Sequence, residues 1–482
     1  MRRVLSVTSE CVPLIKTGGL ADVAGALPAG LAGQGWQMRT LLPAYPGLIK
    51  QAAAKTAVFT FDDLMGGPAR VLAGTAGGVD VLLLDAPHLY DRPGGPYGNP
   101  TDFADNPLRF AALSSAAAQI AAEGLSDGWR PEVLHAHDWQ AGLAPTYLAQ
   151  LGCEDVATVM TVHNIAFQGL APAAMLGTMG LPLSAYTSEG LEYWGQISTL
   201  KAGLVHADAI TTVSPTYASE LMRAEFGMGL EGVVAARADR LSGILNGIDM
   251  DVWNPQTDAQ ITPYSATSLK GKATNRKALM SEFGLSGLTG PLAIIVSRLT
   301  SQKGMDLVAA TADQFVAAGG GLAILGSGDP LIEDQMRVLA RNHPGKVGLR
   351  IGYDEALSHR MFGGGDVVLV PSRFEPCGLT QLYGLRYGTV PVVAATGGLA
   401  DSVIHANTMA QSAGVATGFQ FHPIDEMALA QCLRNVITLF SDKSGWTRLQ
   451  KRGMKQALGW EASSAAYAAL YESLIGEHRS AT

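Results

Sequence analysis

The sequence contains few cysteines and no recognisable secretion signal. Its 482 residues include four cysteines with no Cys-x-x-Cys pair, namely Cys11, Cys153, Cys377 and Cys432. This spacing argues against a disulfide framework or a zinc knuckle. The N-terminal stretch MRRVLSVTSE lacks the apolar core and the small-residue cleavage site of a signal peptide. We therefore expect free thiols in a chain that begins here and works in a reducing cytoplasm.

The sequence also lacks long apolar runs and any excess of positive charge. No apolar run is long enough to cross a bilayer, so we expect no association with a membrane. The formal net charge of −8 repels a polyanion, which makes nucleic acid an unfavourable partner. A neutral polymer is compatible with this charge.

Both halves of the sequence show an alternation of predicted strands and helices. Short Val/Ile/Leu-rich runs are followed by a glycine-containing turn and a longer Ala/Leu-rich segment, as in RRVLSV and VDVLLLD early on and PLAIIVSR and DVVLVPS later. This rhythm predicts the α/β class, with two Rossmann-like domains that each have a doubly wound parallel sheet. A chain of this length also exceeds what one core supports.

Turn-forming pairs mark the connection between the two halves. The stretch ILNGIDMDVWNP contains Asn246-Gly247 and Asn254-Pro255, and we place the domain boundary near residue 250. The predicted domains are 1–250 and 251–460. Two polar segments, 88–106 and about 165–200, are too long for tight turns and are expected to be functional loops.

One six-residue segment, TGGLAD, occurs near both ends of the chain, at 17–22 and 396–401. Each copy follows a predicted strand and precedes a predicted helix, where ligands of open parallel sheets bind. Paired glycines let backbone amides approach a ligand, so Gly18 and Gly19 are expected to do so beside Lys16. The alternative is that Gly-Gly only makes a turn.

In the second half, SRLTSQKG follows an apolar strand and carries two cations, Arg298 and Lys303. A guanidinium and an ammonium group at one strand end are suited to bind a diphosphate. Two solvated surface charges are the alternative.

Further along the second half, RFEPCGLTQLYG follows the predicted strand DVVLV. Pro376 suits the first position of a helix, which predicts open N–H donors on the four following residues, Cys377, Gly378, Leu379 and Thr380. Glu375 is placed to accept hydrogen bonds from sugar hydroxyl groups. Alternatively, it only caps the helix.

In the first half, HAHDWQAG and TVHNIAFQG both end predicted strands, which brings His137, Asp138, His163 and Asn164 to the same edge of the sheet. His135 and His137 do not predict a metal site, because no further ligand cluster accompanies them. The pair Asp249 and Asp251 lies in the connecting segment and is interpreted as a solvated acidic turn.

Taken in order, KTGGLADV, HAHDW, TVHNIAFQG, ILNGID, SRLTSQKG, RFEPCGLTQLYG and TGGLADSV resemble the bacterial ADP-glucose-dependent glycogen synthases and the related plant starch synthases over the whole length. The resemblance implies the GT-B architecture, in which two Rossmann-like domains face a deep interdomain cleft. It also implies that the final segment, 461–482, is a helix that crosses back to the first domain.

The resemblance further implies transfer of glucose from ADP-glucose to the non-reducing 4-hydroxyl group of an α-1,4-glucan, with retention of configuration and without a metal or pyridoxal phosphate. The implied catalytic residues are His163, through its carbonyl group, with Asp138, Arg298, Lys303 and Glu375. The implied donor-binding residues are Lys16, Gly18, Gly19, Asp22, Asn164, Asn246, Tyr353, Cys377, Gly378, Leu379 and Thr380. Tyr353 is expected near the adenine, and Lys16 serves either donor or acceptor.

One position departs from the broader family. Where related retaining enzymes often have Glu-x7-Glu, Glu375 is followed by Tyr383 eight positions on.

Four other functions stay open on the sequence alone: transfer from another nucleotide sugar, glucan binding without catalysis, phosphorolysis, and dinucleotide-dependent oxidation. The last is disfavoured because neither half has GxGxxG after its first strand. The sequence does not predict an oligomeric state.

Overall fold

The computed structural model describes residues 1–99 and 101–481. The chain divides into two compact units: unit 1 is Met1–Gly247 with Trp460–Thr482, and unit 2 is Ile248–Gly459. Within the described residues, no helix combines the length and the apolar character that crossing a membrane requires.

Unit 1 is built on one large sheet. Its strands are β1 (Arg2–Val7), β2 (Trp36–Pro43), β3 (Thr56–Phe61), β4 (Ala69–Ala76), β5 (Val79–Asp85), β6 (Val133–His137), β7 (Ala157–Val162), β8 (Leu170–Pro172), β9 (Glu192–Tyr193), β10 (Gln196–Ser198), β11 (Ala209–Thr212) and β12 (Leu241–Gly243). The large sheet has the order β12-β11-β7-β6-β1-β2-β5-β4-β3, and β8-β10-β9 form a small separate sheet.

The helices of unit 1 connect these strands. They are α1 (Gly19–Ala32), α2 (Leu48–Gln51), α3 (Pro87–Tyr90), α4 (Asn106–Glu123), α5 (Asp138–Ala141), α6 (Ala144–Gln150), α7 (Thr199–His206), α8 (Pro215–Leu221) and α9 (Glu231–Ala236), with 3-10 turns at Ala173–Met175, Leu183–Ala185 and Ala238–Arg240. β6 and β7 are buried at every residue, as expected for parallel strands covered on both faces.

The predicted parallel sheet of unit 1 is confirmed from β12 to β5, whereas its edge differs from the prediction. β5 pairs in parallel with β2 but antiparallel with β4, and β3 in turn pairs antiparallel with β4. β3 and β4 mix buried, half-buried and exposed residues, so this edge hairpin gives only a weak strand signal in the sequence.

Unit 2 has a single parallel sheet with helices on both faces. Its strands are β13 (Leu292–Val296), β14 (Gly321–Gly326), β15 (Val347–Ile351), β16 (Val367–Val370), β17 (Val390–Ala394) and β18 (Phe419–Phe421). Its helices are α10 (Lys270–Glu282), α11 (Met305–Ala317), α12 (Pro330–Asn342), α13 (Glu355–Gly364), α14 (Thr380–Tyr387), α15 (Gly397–Ser402), α16 (Thr408–Ser412), α17 (Glu426–Ser441) and α18 (Lys443–Met454), with a 3-10 turn at Ser301–Lys303.

Strand β13 shows why this sequence forms a doubly wound sheet. Ala293 and Ile295 pack into one buried cluster, while Leu292 and Ile294 pack into another, as the alternation of a strand requires. A continuous apolar run therefore serves two cores at once, one on each face of the sheet.

The last helix, α19 (Glu461–Ala481), belongs to unit 1. Its fully buried Tyr471 packs edge-on against Trp36 at the start of β2, with ring centroids 5.2 Å apart. The hydroxyl group of Tyr471 lies 2.7 Å from Nδ1 of His135. Burial of such aromatic side chains stabilises a fold by about 2–3 kcal/mol each.

Each sheet has a point at which the strand order reverses direction. In unit 2 the order β15-β14-β13-β16-β17-β18 is that of the Rossmann fold, and the reversal lies between β13 and β16. In unit 1 it lies between β1 and β6, with β2 on the other side of β1. Ligands of such sheets bind at the carboxyl ends of these strands, and those ends carry the residues described next.

Candidate functional site

The first TGGLAD segment is organised by a buried glutamate that the sequence analysis did not single out. Glu10 follows β1 and is 3% exposed. Its carboxylate accepts hydrogen bonds from the Thr17 amide, from the Thr17 hydroxyl group at 2.5 Å and from the Gly18 amide at 3.2 Å. Tyr97, in the long polar segment 88–106, donates its hydroxyl proton to the same carboxylate at 2.5 Å. Glu10 therefore fixes the loop before α1.

This arrangement changes what the two glycines offer to a ligand. The Gly18 amide is directed at Glu10, whereas α1 begins at Gly19, so the amides of its first turn have no acceptor within the helix. Gly18 has an extended backbone (φ −151°), and a Cβ atom placed there meets nothing within 4 Å. Lys16 and Asp22 flank the loop as an ion pair with 2.7 Å between Nζ and Oδ1. The open space in front of Gly18 is thus bordered by a cation and a helix start.

Asp138, His163 and Asn164 are brought together at the ends of β6 and β7. Asp138 is 8% exposed and has a left-handed backbone (φ +53°), which a residue other than glycine adopts rarely. Its Oδ1 accepts the His163 amide at 2.7 Å and the Asn164 amide at 3.3 Å. The carboxyl group therefore holds the loop after β7, and burial raises the pKa of Asp138 to about 7.

The buried His135 and His137 and the half-buried His163 lie at or beside this loop. Nδ1 of His137 lies 3.0 Å from Nε2 of His163, and His135 lies 2.6 Å from the Thr161 hydroxyl group. Burial lowers the pKa of His135 and of His163 to about 3 and that of His137 well below its usual value. These imidazoles are therefore neutral positioning groups at physiological pH. Among the described residues, no three His, Cys, Asp or Glu side chains are grouped to hold a metal ion.

Replacement of Asp138 by asparagine should change the pH dependence of stability. The unfolded chain loses the Asp138 proton near pH 3.8 and the folded chain only near pH 7, so the carboxyl group destabilises the fold increasingly over this interval and by a constant amount above it. Asparagine tolerates the left-handed backbone and its oxygen still accepts the two amides.

We therefore expect Asp138→Asn to unfold at a higher temperature than the wild type at pH 8 and at the same temperature at pH 4. At pH 8 its free energy of unfolding should exceed that of the wild type by an amount on the order of a few kcal/mol. Because the buried histidines are present in both proteins, their loss of stability below pH 6.5 cancels in the difference. Calorimetry across this range checks the result; an equal difference at both pH values would contradict it.

In unit 2, Lys303 and Glu375 form a direct ion pair at the carboxyl ends of β13 and β16. Lys303 Nζ lies 2.5 Å from Glu375 Oε2, and the Ser372 hydroxyl group donates to the same oxygen at 2.9 Å. Glu375 is 9% exposed. Arg298, also after β13, is exposed. The strand reversal of unit 2 therefore carries the exposed Arg298, the half-buried Lys303 and the buried carboxylate of Glu375.

The predicted helix start at Pro376 is wrong. α14 begins at Thr380 with Leu379 as its N-cap, because Gly378 has a left-handed backbone (φ +70°) that interrupts the helix. Cys377, Gly378 and Leu379 thus form a turn, and the open amides of α14 start at Thr380. The alternative that Glu375 only caps this helix is wrong for the same reason.

The second TGGLAD copy supports the backbone of Glu375. The Gly398 amide donates to the Glu375 carbonyl oxygen at 3.1 Å and to the Pro376 carbonyl oxygen at 3.0 Å. Gly397 has a left-handed backbone (φ +44°), and a Cβ atom there would overlap the Glu375 carbonyl oxygen. Both copies therefore place a glycine amide on a glutamate, on the Glu10 side chain in unit 1 and on the Glu375 main chain in unit 2.

Gly18→Val and Gly397→Val should fail for different reasons. Valine at 18 fits the extended backbone and the open space, so we expect an unchanged unfolding temperature. Because its side chain fills the space in which a ligand is expected, we also expect a loss of activity of at least tenfold. Valine at 397 meets both a positive φ and the Glu375 backbone, and we expect a stability loss of about 3 kcal/mol or more. Thermal unfolding and initial rates separate the two effects. An unchanged unfolding temperature for Gly397→Val, or unchanged activity for Gly18→Val, would contradict this reading.

The remaining residues singled out in the sequence lie in other segments. Tyr353 follows the edge strand β15, is 81% exposed and donates to Glu355 at 3.1 Å. Asn246 follows β12, and its buried Oδ1 has no hydrogen-bond partner among the described residues. Asp249 accepts the Asp251 amide at 2.9 Å, as the predicted acidic turn requires.

Comparison with known proteins relates both units to glycosyltransferases. A family model described as "Starch synthase catalytic domain" matches residues 3–236, and one described as "Glycosyl transferases group 1" matches residues 280–448. The chain is 61% identical to a glycogen synthase of Cereibacter sphaeroides, over 98% of both chains. It is 58% identical to a glycogen synthase of Paracoccus denitrificans, over 98% of this chain and 100% of the other.

Solved structures agree with this relationship. The catalytic domain of starch synthase IV from Arabidopsis thaliana, bound to ADP and acarbose, has a TM-score of 0.88 and 31% identity, over 98% of this chain and 99% of the other. Sucrose-phosphate synthase from Thermosynechococcus elongatus, with 17% identity and a TM-score of 0.61, shares the fold. The predicted GT-B architecture is confirmed, and the chain belongs to the glycogen synthase family of glycosyltransferases.

Proposed function

We propose that the chain transfers glucose from ADP-glucose to the 4-hydroxyl group at the non-reducing end of an α-1,4-glucan such as glycogen, with retention of the α configuration. The observation that carries this proposal is the group formed by Arg298, Lys303 and Glu375 at the strand reversal of unit 2. The glycogen synthases at about 60% identity support the reaction, and the ADP and acarbose bound to starch synthase IV support the ligands.

The cations of unit 2 act on the leaving group. As the bond between the glucose C1 atom and the diphosphate breaks, negative charge grows on ADP. Arg298 and Lys303, together with the open amides of α14 from Thr380 onwards, stabilise this charge. Because Lys303 is held by Glu375 at 2.5 Å, its ammonium group is positioned before the donor binds. Tyr353 is assigned to the adenine ring.

Glu375 of unit 2 and the loop after β7 in unit 1 are assigned to the sugar. Glu375 and Asn164 orient hydroxyl groups, and the carbonyl group of His163 supports the positive ring of an oxocarbenium-like state. Asp138 accepts the His163 and Asn164 amides and thereby fixes these two residues relative to one another. Lys16, with the amides of Gly19 and its neighbours, serves the donor diphosphate or the acceptor.

Retention is assigned to attack from the face that the diphosphate leaves. The acceptor oxygen forms its bond to C1 on that side, and its proton passes to the departing phosphate. Tyr383 stands where related enzymes often have a second glutamate, so the proposed route uses one carboxylate in unit 2 and forms no glycosyl-enzyme bond. We expect it to need neither a metal ion nor pyridoxal phosphate, since the two cations and the helix start meet the charge of the leaving group.

The test is incubation of the purified protein with ADP-glucose and glycogen. We expect ADP release that depends on glycogen, and an anomeric proton signal of an added α-1,4-linked residue in the nuclear magnetic resonance spectrum of the product. UDP-glucose in a parallel reaction should be used more slowly. Faster turnover of UDP-glucose, or a β-linked product, would contradict the proposal.

A further inference from the structure

Gln381, in the first turn of α14, is a fully buried glutamine whose side chain bonds to the backbone of the preceding turn. Its Nε2 donates to the Cys377 carbonyl oxygen at 3.1 Å and to the Gly378 carbonyl oxygen at 2.9 Å. These contacts assign the nitrogen to this position, because an amide oxygen there would face two other oxygens. The side chain therefore holds two consecutive peptide groups of the turn.

Helix α15 holds the same turn from its own residues. The Ser402 hydroxyl group accepts from Gln381 Nε2 at 3.0 Å and donates its proton to the Gly398 carbonyl oxygen at 2.5 Å. The Gly398 amide donates to the two carbonyl groups that precede those held by Gln381. The carbonyl groups of four successive residues, 375–378, thus all accept hydrogen bonds from Gln381 or from α15.

The direction of these carbonyl groups fixes the direction of the amides. In a trans peptide the C=O bond and the N–H bond of the next residue point in opposite directions. Since the Cys377 and Gly378 carbonyl groups face Gln381, the Gly378 and Leu379 amides face the opposite side of the turn. Both residues are half-buried, and neither amide has an acceptor among the residues that the structure describes.

The backbone conformation makes this opposite side of the turn concave. Gly378 is left-handed (φ +70°), and Leu379 is right-handed (φ −110°, ψ −25°). Successive amides in such a pair converge on one anion, and the Thr380 amide at the start of α14 is next to them. A Cβ atom at position 378 would also lie 2.5 Å from Gln381 Oε1. The turn therefore needs a glycine above the buried glutamine.

Gln381 leaves one of its own atoms unsatisfied. Its Oε1 is buried and has no hydrogen-bond partner among the described residues. An unsatisfied buried acceptor offsets part of the stability that the side chain provides by satisfying two carbonyl groups. The net contribution of Gln381 to folding is therefore small, and the orientation of the amides is the effect that remains.

We propose that Gln381 is a positioning residue for the donor diphosphate, which turns the Gly378 and Leu379 amides toward the phosphate groups before ADP-glucose binds. The inference rests on the proposed function, which supplies the diphosphate, and the ADP bound to starch synthase IV supports that ligand. Amides that are already oriented stabilise the charge of the leaving group without reorganisation during the reaction. Gln381 acts only through the backbone, because its side chain is fully buried.

Gln381→Met tests the positioning role. Methionine has nearly the same length and fills irregular buried space, but it donates no hydrogen bond to the two carbonyl groups. We expect titration calorimetry to show an ADP affinity about tenfold weaker than that of the wild type. Turnover at saturating ADP-glucose should fall about tenfold as well, because the amides are no longer held in place. The unfolding temperature should fall by only a few degrees.

Gln450→Met is a matched control on the same helix. Gln450 is 7% exposed, and its Nε2 donates to the Gly388 carbonyl oxygen at 2.9 Å, at the other end of α14. The substitution removes the same kind of contact, so the unfolding temperature should fall to a similar extent while the ADP affinity stays within twofold. An equal loss of ADP affinity in both variants would mean that any loosening of α14 has this effect, and it would overturn the inference.

Gln381→Glu adds a readout that a merely structural role would not change. A protonated carboxyl group still donates to one of the two carbonyl oxygens, whereas the ionised group donates to neither and repels both. Burial favours the protonated form at low pH. The ADP affinity of this variant, divided by that of the wild type, should therefore fall between about pH 6 and about pH 8.5. A ratio of one across this range would contradict the inference.

An ADP affinity of Gln381→Met equal to that of the wild type would overturn the inference. The side chain in Gln381→Glu has the shape of the native one, so the pH series gives a result even if Gln381→Met does not fold. Calorimetry with ADP needs no turnover. A wild type that binds ADP through this turn but transfers no glucose would therefore support the positioning role and contradict only the proposed function.

Discussion

Lys303→Ala should lower turnover with ADP-glucose and glycogen by about a hundredfold, since removal of one preorganised contact to a developing negative charge costs about 3 kcal/mol of transition-state stabilisation. The affinity for glycogen should change little, because the ammonium group is assigned to the donor diphosphate. Arg298→Ala is expected to act in the same direction. Initial rates at saturating acceptor, together with cosedimentation, measure the two quantities separately.

The pairing of Lys303 with Glu375 calls for two controls. Arg337→Ala removes a surface cation of the same unit that pairs with Glu333 and Asp334 on its own helix, and it should leave turnover unchanged. Lys303→Met combined with Glu375→Gln removes both charges and should recover stability lost by leaving the buried carboxylate without its partner, while turnover stays low. Recovery of turnover together with stability would show that Lys303 has only a structural role.

Glu375→Gln should also lower turnover by about a hundredfold while the affinity for ADP stays within threefold. The amide is nearly the same size and its oxygen still accepts from Lys303 and Ser372, so the fold is kept. What is lost is the negative charge that favours a cationic sugar ring, worth about 3 kcal/mol at such a position.

The unfolding temperature and the ADP affinity of Glu375→Gln should both be measured. Glu375 lies five residues before the first residue of α14, so a stability loss through helix capping is not expected. Reduced stability with turnover intact would therefore contradict the assigned role.

Much of the fold could be predicted from the sequence because parallel strands are continuous apolar runs. The runs that became β1, β6, β7, β13 and β16 are buried on both faces and stand out from the polar segments around them. Since parallel strands end at the same edge of a sheet, the pattern places Lys303 and Glu375 at one edge, but their direct ion pair was not predicted. The edge hairpin β3 and β4 was missed because it is half exposed and pairs antiparallel.

The contacts that organise the loops could not be predicted in the same way. The hydrogen bond from Tyr97 to Glu10 joins residues 87 positions apart, and no local pattern signals it. The only signal was an acidic residue directly after an apolar strand. The start of α14 was misplaced because Pro376 is a good first helical residue, but Gly378 adopts a left-handed backbone that no helix contains.

The TGGLAD repeat shows both the strength and the limit of motif reasoning. The sequence correctly placed each copy after a strand, but most of each copy lies inside the helix that it was expected to precede, because α1 begins at Gly19 and α15 at Gly397. It did not show that the two copies use their glycines differently. Gly18 lies in open space, whereas Gly397 and Gly398 are in contact with the backbone of residues 375–377.

The most direct measurement of the central claim is the incorporation of radiolabelled glucose from ADP-glucose into glycogen by the wild type and by Lys303→Ala, side by side. The account predicts steady incorporation by the wild type and a rate about a hundredfold lower for the variant. Equal rates for the two proteins, or no incorporation by a folded wild type, would contradict it.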